Sequence, residues 1–300
     1  MANAVIGPSI WNRPDRLGYV LLAPTLFVVA GLSAVPMAYS LWLIFHRFNP
    51  LRPAPAEFVG AANIQQLLGD PRVWSALKTT VLYASIAVPA SFVLGLCIAL
   101  LFNNEFPGAR LFRGLSLVPL MVMPVAVGLT FQMLFNYQYG LFNWVLVGLL
   151  HLPRLQWLSD PSLAFLSIII LDLWQHTPFA MMVLLAALRG VPSDPIEAAR
   201  VDGASAWQTF VHVILPFLRP LILVVLLLRF IGAFKLFDEI YALTQAGPGQ
   251  ATETLAYYVY VLGFQAFDLG YASTVSYLLL VALAIIGIVL IVRLEREHVV

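Results

Sequence analysis

The chain has 300 residues, of which 61% are hydrophobic and 10% are charged, and its formal net charge is +1. Soluble domains are roughly half apolar and a quarter charged, so this composition excludes an ordinary soluble domain and indicates a membrane protein. The near-neutral charge provides no basic surface, and we expect no nucleic-acid partner. A single cysteine, Cys97, excludes an internal disulfide and a thiolate metal cluster. The five histidines include no close pair, so we expect no metal site.

Six long apolar segments predict an all-α, polytopic membrane protein with six transmembrane helices. A helix needs about 20 apolar residues to cross a bilayer core of about 30 Å, and it satisfies its backbone hydrogen bonds internally. The first segment is too long for the apolar core of a signal peptide, so we interpret it as a retained span. In chain order the segments are Leu17–Phe45, Thr79–Asn104, Gly114–Asn136, Pro161–Leu188, Pro220–Leu243 and Leu269–Val292.

The third apolar run continues past Asn136 to Pro153, which is more than one span requires. Its second part, Leu141–Leu152, is too short to cross a bilayer, and we expect it to lie along the outer surface. Prolines within or near the spans predict kinks in several helices. They are Pro24, Pro36, Pro89, Pro119, Pro124 and Pro178.

The distribution of basic residues favours cytoplasmic positions for both termini, because cytoplasmic loops carry an excess of Lys and Arg. On that orientation the inner segments contain Arg13, Arg16, Arg110, Arg113, Arg189, Arg200, Arg219, Arg293 and Arg296. The outer segments contain Arg47, Arg52, Arg72, Lys78 and Arg154. The segment between the fourth and fifth spans is then cytoplasmic.

That segment contains a short predicted helix that begins near Asp194. An aspartate is a good N-cap, Pro195 suits the first helical position, and Glu197 follows three residues after the cap. Ala198 and Ala199 are small helix formers that permit close approach. Gly203 is a natural end for this helix.

A second helix begins at Ser205, which forms a predicted capping box with Gln208. Its apolar face predicts an amphipathic helix at the membrane surface, and Pro216 then marks the entry to the fifth span. Capping alone explains the polar residues of the whole segment. The small residues beside a charged rim also fit a docking surface, and physical reasoning leaves both interpretations open.

The segment resembles the EAA signature of permease subunits of binding-protein-dependent ABC importers. The matching residues are Glu197, Ala198, Ala199, Gly203, Val213, Leu215 and Pro216. That family usually has isoleucine in place of Val213, which is a conservative difference. Three other stretches resemble its carbohydrate-type branch, namely WQHTPF at Trp174–Phe179, FDEIYALTQAGPG at Phe237–Gly249 and DLGYAS at Asp268–Ser273.

The resemblance covers about Trp74 to the end of the chain and implies the type I ABC importer permease architecture. It implies three regions. Residues 1–72 comprise a cytoplasmic tail, the first span and the first outer loop. Residues 73–293 form a five-helix permease core with a cytoplasmic coupling segment at 189–216, and 294–300 form a second tail. The ATPase-docking residues it implies are Glu197, Ala198, Ala199, Asp202 and Gly203.

The same resemblance implies the partners. They are two cytoplasmic ATPase subunits, a second homologous permease subunit in a heterodimer, an extracytoplasmic solute-binding protein and the lipid of a bacterial inner membrane. The chain has no phosphate-binding loop and no catalytic motif. We therefore expect no enzymatic activity and no cofactor here, with ATP and magnesium bound by the partner subunits.

Two charges lie deep in predicted spans. Asp172 is ten residues into the fourth span and Arg229 is ten residues into the fifth, which enters from the opposite face. At about 1.5 Å per residue, both lie roughly 15 Å deep, near the midplane. We therefore predict one interhelical ion pair. The alternative is that Arg229 contacts the solute.

Further polar and aromatic residues complete the candidate translocation path. Lys235 is three and four residues before Asp238 and Glu239, which suits either a local ion pair or solute contact. Aromatic and amide side chains suit a polyhydroxylated solute, although an aromatic ring also fills space between helices. The candidate path residues are Asp172, Trp174, Gln175, Arg229, Lys235, Asp238 and Tyr241.

The resemblance predicts import of a sugar, and a polyol, a glycoside or a phosphorylated or sulfonated sugar derivative stays open. A secondary transporter is disfavoured because the 197–216 pattern has no second copy. A non-ABC transporter or a structural membrane subunit remains the alternative of a different class.

Overall fold

The computed structural model describes the backbone of residues 14–297 and the side-chain surroundings of residues 21–289, 291 and 292. Predictions about Arg13 and the two terminal tails lie largely outside these residues. The helices are α1 (Pro14–Ile44), α2 (Ala62–Gly69), α3 (Pro71–Asn103), α4 (Ala109–Leu115), α5 (Val118–Met121), α6 (Pro124–Leu134), α7 (Leu141–Gly148), α8 (Pro161–Arg189), α9 (Ser193–Val201), α10 (Ala206–Thr209), α11 (Leu215–Phe234), α12 (Asp238–Leu243), α13 (Leu255–Tyr260) and α14 (Leu269–Glu297). Two-residue strands β1 (His46–Arg47) and β2 (Glu57–Phe58) pair antiparallel after α1.

The predicted all-α membrane fold is confirmed. Within the described part of the chain, five helical segments are long and apolar enough to cross a membrane. They are Leu21–Ile44, Pro71–Asn103, Pro161–Arg189, Ala206–Phe234 and Leu269–Val289. A sixth crossing would be formed by Ala109–Met121 and Pro124–Leu134, which are bent by 97°.

The third span is therefore broken, where the sequence predicted one crossing from Gly114 to Asn136. α5 ends at Met121, and the next two residues adopt extended backbone before α6 starts at Pro124. A proline disfavours helical conformation in the residue before it and cannot donate a hydrogen bond to the preceding turn. Pro124 thus ends one helix and begins another at a new angle. The short helix α7 lies within the predicted Leu141–Leu152 segment.

The fifth span also differs from the predicted Pro220–Leu243. Helical structure runs without interruption from Ala206 to Phe234 and includes a π-helical turn at Phe210–Ile214. The α-helix α11 begins at Leu215, with Pro216 in its first turn, where a proline is tolerated, so Pro216 lies at the start of α11 as predicted although helical structure already precedes it. The helix ends at Phe234, and α12 is a separate element.

Helix α8 lies at the centre of the bundle, between α3, α6 and α11. It approaches α3 closely at Gly95, where a Cβ atom would lie 2.7 Å from the Ala180 Cβ atom. Only a glycine permits this separation, which brings the polar residues of α3 and α8 within hydrogen-bond reach. Among the described residues, the first helix, α1, packs along α14 and not against α8. The hydroxyl of Tyr277 in α14 donates to the Met37 carbonyl of α1 at 2.6 Å.

Candidate functional site

The first candidate site is helix α9 with the turn that follows it. The predicted N-cap at Asp194 is wrong, because the helix begins at Ser193 and Pro192 occupies the cap position without a side-chain hydrogen bond. The Asp194 carboxylate instead accepts a hydrogen bond from the Ser193 hydroxyl at 3.2 Å. Glu197 is exposed, so the predicted first capping box does not form.

The residues predicted to dock an ATPase lie in α9 and in the turn that follows it, and together we call them the α9 patch. It comprises Glu197, Ala198, Ala199, Asp202 and Gly203, none of which is buried. Gly203 has φ +79°, a left-handed conformation that favours glycine and turns the chain back toward α10. Two backbone hydrogen bonds fix the turn, from Gly203 to Arg200 at 3.1 Å and from Ala204 to Ala199 at 2.9 Å.

A groove of about 390 Å³ separates α9 from the following helix. Ala199 and Gly203 line one side, and Gln208 and His212 line the other. The predicted capping box between Ser205 and Gln208 is confirmed, with both reciprocal hydrogen bonds present. The second wall of the groove is therefore held by its own cap.

Two apolar side chains beside the groove are strongly exposed. Val201 is 88% exposed and Trp207 is 71% exposed. Trp207 contacts Phe210 with ring centroids 5.8 Å apart. Apolar groups grouped at the end of a bundle, with small residues between them, are suited to contact with another protein.

The second candidate site is a polar cluster inside the bundle. The Arg229 Nη2 atom donates to the Asp172 Oδ2 atom at 2.7 Å, and the two residues are 3% and 1% exposed. The predicted interhelical ion pair is therefore confirmed.

Three further residues surround this pair. The Tyr83 hydroxyl donates to Asp172 Oδ1 at 2.5 Å, and Arg229 Nε donates to the Ser91 hydroxyl at 3.2 Å. His176 Nδ1 lies 3.1 Å from Asp172 Oδ1. Sequence reasoning missed these partners, because uncharged polar residues inside an apolar run carry little signal about their neighbours.

Two residues of α8 beside the cluster retain unpaired polar atoms. They are Gln175 Oε1 and Thr177 Oγ1. Gln175 uses its amide nitrogen to reach the Val122 carbonyl at 3.3 Å, in the break between α5 and α6. An unpaired buried polar atom costs about 1–3 kcal/mol. These atoms therefore favour water or a hydroxylated ligand beside them.

The remaining predicted path residues lie outside this cluster. Trp174 is 44% exposed and packs against Phe131 with ring centroids 5.5 Å apart. Tyr241 is 42% exposed and lies 5.6 Å from the rings of both Phe237 and Tyr260.

The predicted ion pair of Lys235 with Asp238 or Glu239 is absent from the described residues, because the helix ends before Lys235 and removes the assumed helical spacing. Lys235 is exposed, Asp238 is half-buried, and Glu239 is buried. The structure thus pairs Asp172 with Arg229, buries Gln175 one turn further along α8, leaves Asp238 half-buried, and places the other candidates at the surface.

Comparison with known proteins assigns the family. Residues 87–297 match the family described as binding-protein-dependent transport system inner membrane component. The chain belongs to this family. It is 38% identical over 272 residues to the trehalose/maltose transport system permease protein MalF of Thermococcus litoralis, covering 89% of each chain. It is 35% identical over 279 residues to the trehalose transport system permease protein SugA of Mycobacterium tuberculosis, covering 92% of this chain and 88% of that one.

The architecture is that of a solved ABC importer. A chain of a bacterial alginate ABC transporter, solved in complex with an alginate pentasaccharide-bound periplasmic protein, superimposes with a TM-score of 0.82. The two chains are 21% identical over 95% of this chain and 96% of the other. The predicted type I permease architecture and the resemblance to the carbohydrate-type branch are both confirmed.

Proposed function

We propose that this chain is a transmembrane subunit of an ATP-driven importer that moves a neutral sugar across a bacterial inner membrane by alternating access. Its family and the trehalose and maltose systems among its relatives support this proposal. The chain supplies the path through the membrane, while ATP and magnesium bind to partner subunits.

The exposed α9 patch is the observation that carries the coupling part of the proposal. A short helix at the end of the central helix α8 makes few contacts within its own chain, and Val201 beside it is almost fully exposed. In the proposed complex this helix seats in a groove of a cytoplasmic ATPase subunit. Ala198 and Ala199 permit close approach, and Glu197 and Asp202 provide a charged rim.

The unpaired atoms of Gln175 and Thr177 support a sugar path beside α8. Sugar hydroxyls both donate and accept hydrogen bonds, so they satisfy amide and hydroxyl groups without a charge. Movement of α8 with α9 would connect this path to the ATPase, because only Gly190–Pro192 separate the two helices.

A neutral sugar is favoured over an anionic derivative because the Arg229 charge is already paired with Asp172. An anionic solute at this depth would have to displace a buried carboxylate from its guanidinium. Breaking such a pair costs about 3–5 kcal/mol. Lys235 is exposed and outside the cluster, so it does not alter this preference.

The complex we propose contains two ATPase subunits, a second permease subunit and an extracytoplasmic binding protein. The fold similarity to a transporter chain solved with a periplasmic protein supports this assembly. In this arrangement both termini and α9 are cytoplasmic, and the turn between α2 and α3, at Asp70, is on the outer side.

Photo-crosslinking tests the coupling directly. A photo-crosslinking amino acid at position Ala198 should link this chain to a cytoplasmic ATPase subunit in intact membranes. The control position Ser159 is also exposed but lies at the opposite end of α8, so it should give no ATPase adduct. The reverse pattern would contradict the proposal.

A further inference from the structure

A second cavity lies at the end of the bundle opposite α9. It has a volume of about 350 Å³ and is formed by the C-terminal end of α6 and by the turn before α8. We call it the α6–α8 pocket. α8 has 29 residues and is therefore about 43 Å long at 1.5 Å per residue. The pocket is thus well separated from the α9 patch, and its volume is within the range of about 300–1,000 Å³ typical of small-molecule sites.

The floor of the pocket is a rigid aromatic surface. The rings of Phe135 and Trp157 are 5.2 Å apart, and these residues are 1% and 8% exposed. Trp157 donates its indole N–H to the Asn143 Oδ1 atom at 3.2 Å. The same amide oxygen accepts the backbone N–H of Leu155 at 3.0 Å. The indole is therefore fixed in orientation before any ligand arrives.

The walls carry groups that form hydrogen bonds without charge. They are Gln132, Asn136, Tyr137, Tyr139, Gln156 and Ser159. Asn136 uses its side-chain oxygen to accept the backbone N–H groups of Gln138 at 2.9 Å and Tyr139 at 3.3 Å. Its amide N–H groups point away from those bonds by covalent geometry and remain donors for a ligand.

The charge of the pocket narrows the class of ligand. None of the residues that line it is an Asp, Glu, Lys or Arg. Arg154 is a cation at its edge, and its guanidinium carbon lies 5.9 Å from the centre of the Tyr137 ring. Phosphate and carboxylate ligands are recognised by paired cations or several N–H donors. An uncharged ligand with many hydroxyl groups fits these walls better.

We propose that the α6–α8 pocket is a saccharide-binding site separate from the buried polar cluster. Tyr137 and Tyr139, which line the pocket and are 48% and 69% exposed, offer aromatic faces to the apolar sides of sugar rings, and the amide and hydroxyl walls bond the sugar hydroxyl groups. The inference rests on the proposed sugar import, because it places the pocket on the side where the solute enters. It goes further by assigning a receiving site that the sugar occupies before it reaches α8.

The arrangement of rings separates the two sites. Phe131 lies between the pocket and the membrane-embedded part of α8, with its centroid 5.8 Å from Phe135 and 5.5 Å from Trp174. Phe131 and Phe135 are buried, so they form a closed layer and not an open channel. A sugar in the pocket therefore has to leave it laterally to reach the unpaired atoms near Gln175.

Saccharide binding tests this site with the assembled transporter in lipid nanodiscs, without its binding protein. Trehalose and maltose serve as probes, and saturation-transfer NMR measures the concentration for half-maximal signal. Gln132→Ala and Gln156→Ala together should raise that concentration at least about tenfold. In proteoliposomes containing the binding protein, they should raise the KM for sugar and leave the maximal uptake rate unchanged.

Gln138→Ala is the matched control, because Gln138 is exposed beside the pocket but does not line it. It should behave as the unaltered protein does. If the paired variants bind and transport the two sugars as Gln138→Ala does, the pocket proposal is refuted while sugar import stands. If the unaltered complex imports neither sugar nor any other saccharide, the proposed function itself fails and the pocket proposal fails with it.

Discussion

Replacing Asp172 by asparagine should destabilise the assembled protein strongly. The substitution keeps the size of the side chain and removes the charge that lies 2.7 Å from Arg229. Arg229 is 3% exposed, and its side-chain partners among the described residues would then be neutral, namely the amide oxygen of the new asparagine and the Ser91 hydroxyl. Leaving one member of a buried pair uncompensated costs about 3–5 kcal/mol. We therefore expect a loss of this size in the free energy of unfolding.

The assay is equilibrium unfolding of the purified protein in detergent, with a double-mutant cycle. Arg229→Gln should be destabilising by a similar amount, and the double variant Asp172→Asn/Arg229→Gln should be less so than the sum. Arg219→Gln is the matched control on the same helical segment. Arg219 is exposed, and even an ion pair of an exposed charge is worth only about 0–1 kcal/mol, so this control should change the free energy of unfolding little. Additivity of the two single variants within about 0.3–0.5 kcal/mol would refute the reasoning.

Three further results are expected. Ala199→Trp should overfill the contact between the α9 patch and the ATPase, which should weaken docking by about 1–3 kcal/mol. Solute-stimulated ATP hydrolysis should then fall roughly 5- to 150-fold, while membrane insertion stays normal. After replacement of Cys97, a cysteine at Ala204 should react with membrane-impermeant thiol reagents only from the cytoplasm, and one at Gln250 only from outside; reversed labelling would refute the orientation. The pKa of Asp70 is lowered, because hydrogen bonds from two tyrosine hydroxyls and two backbone N–H groups outweigh the opposing effect of burial. The contribution of the Asp70 carboxylate to stability is therefore present above the unfolded pKa of 3.8 and lost as pH falls through the lower folded value. Acid unfolding curves of Asp70→Asn should lack this loss of stability. Curves that match those of the unaltered protein would contradict the prediction.

The straight spans could be predicted because bilayer thickness imposes a length and a composition that are visible in the residues themselves. The pairing of Asp172 with Arg229 was also predictable, since each charge is about ten residues from the predicted start of its span, although the helical segment that carries Arg229 begins earlier, at Ala206. Depth along a helix is a one-dimensional quantity that the chain specifies directly. The rotation of each helix about its axis is set by packing, so Tyr83 and Ser91 were not identified as partners.

The breaks in helices were less predictable, because a proline can either kink a helix or begin a new one. Pro124 begins α6 after a bend of 97°, whereas Pro216 sits in the first turn of α11 within uninterrupted helical structure. The helix start at α9 was misplaced by a similar ambiguity, since Ser193 and Asp194 are both acceptable near a cap. The α6–α8 pocket was not predicted from the sequence, because its walls come from two segments about 20 residues apart.

The central claim is ATP-driven sugar import coupled through α9. The most direct test is uptake of radiolabelled trehalose or maltose into proteoliposomes that contain this chain, its partner permease, the ATPase subunits and the binding protein. We predict uptake that requires internal ATP and the binding protein, and that falls with Ala199→Trp while the amount of assembled complex is unchanged. Uptake that proceeds without ATP, or that is as fast with Ala199→Trp as without it, would contradict the account.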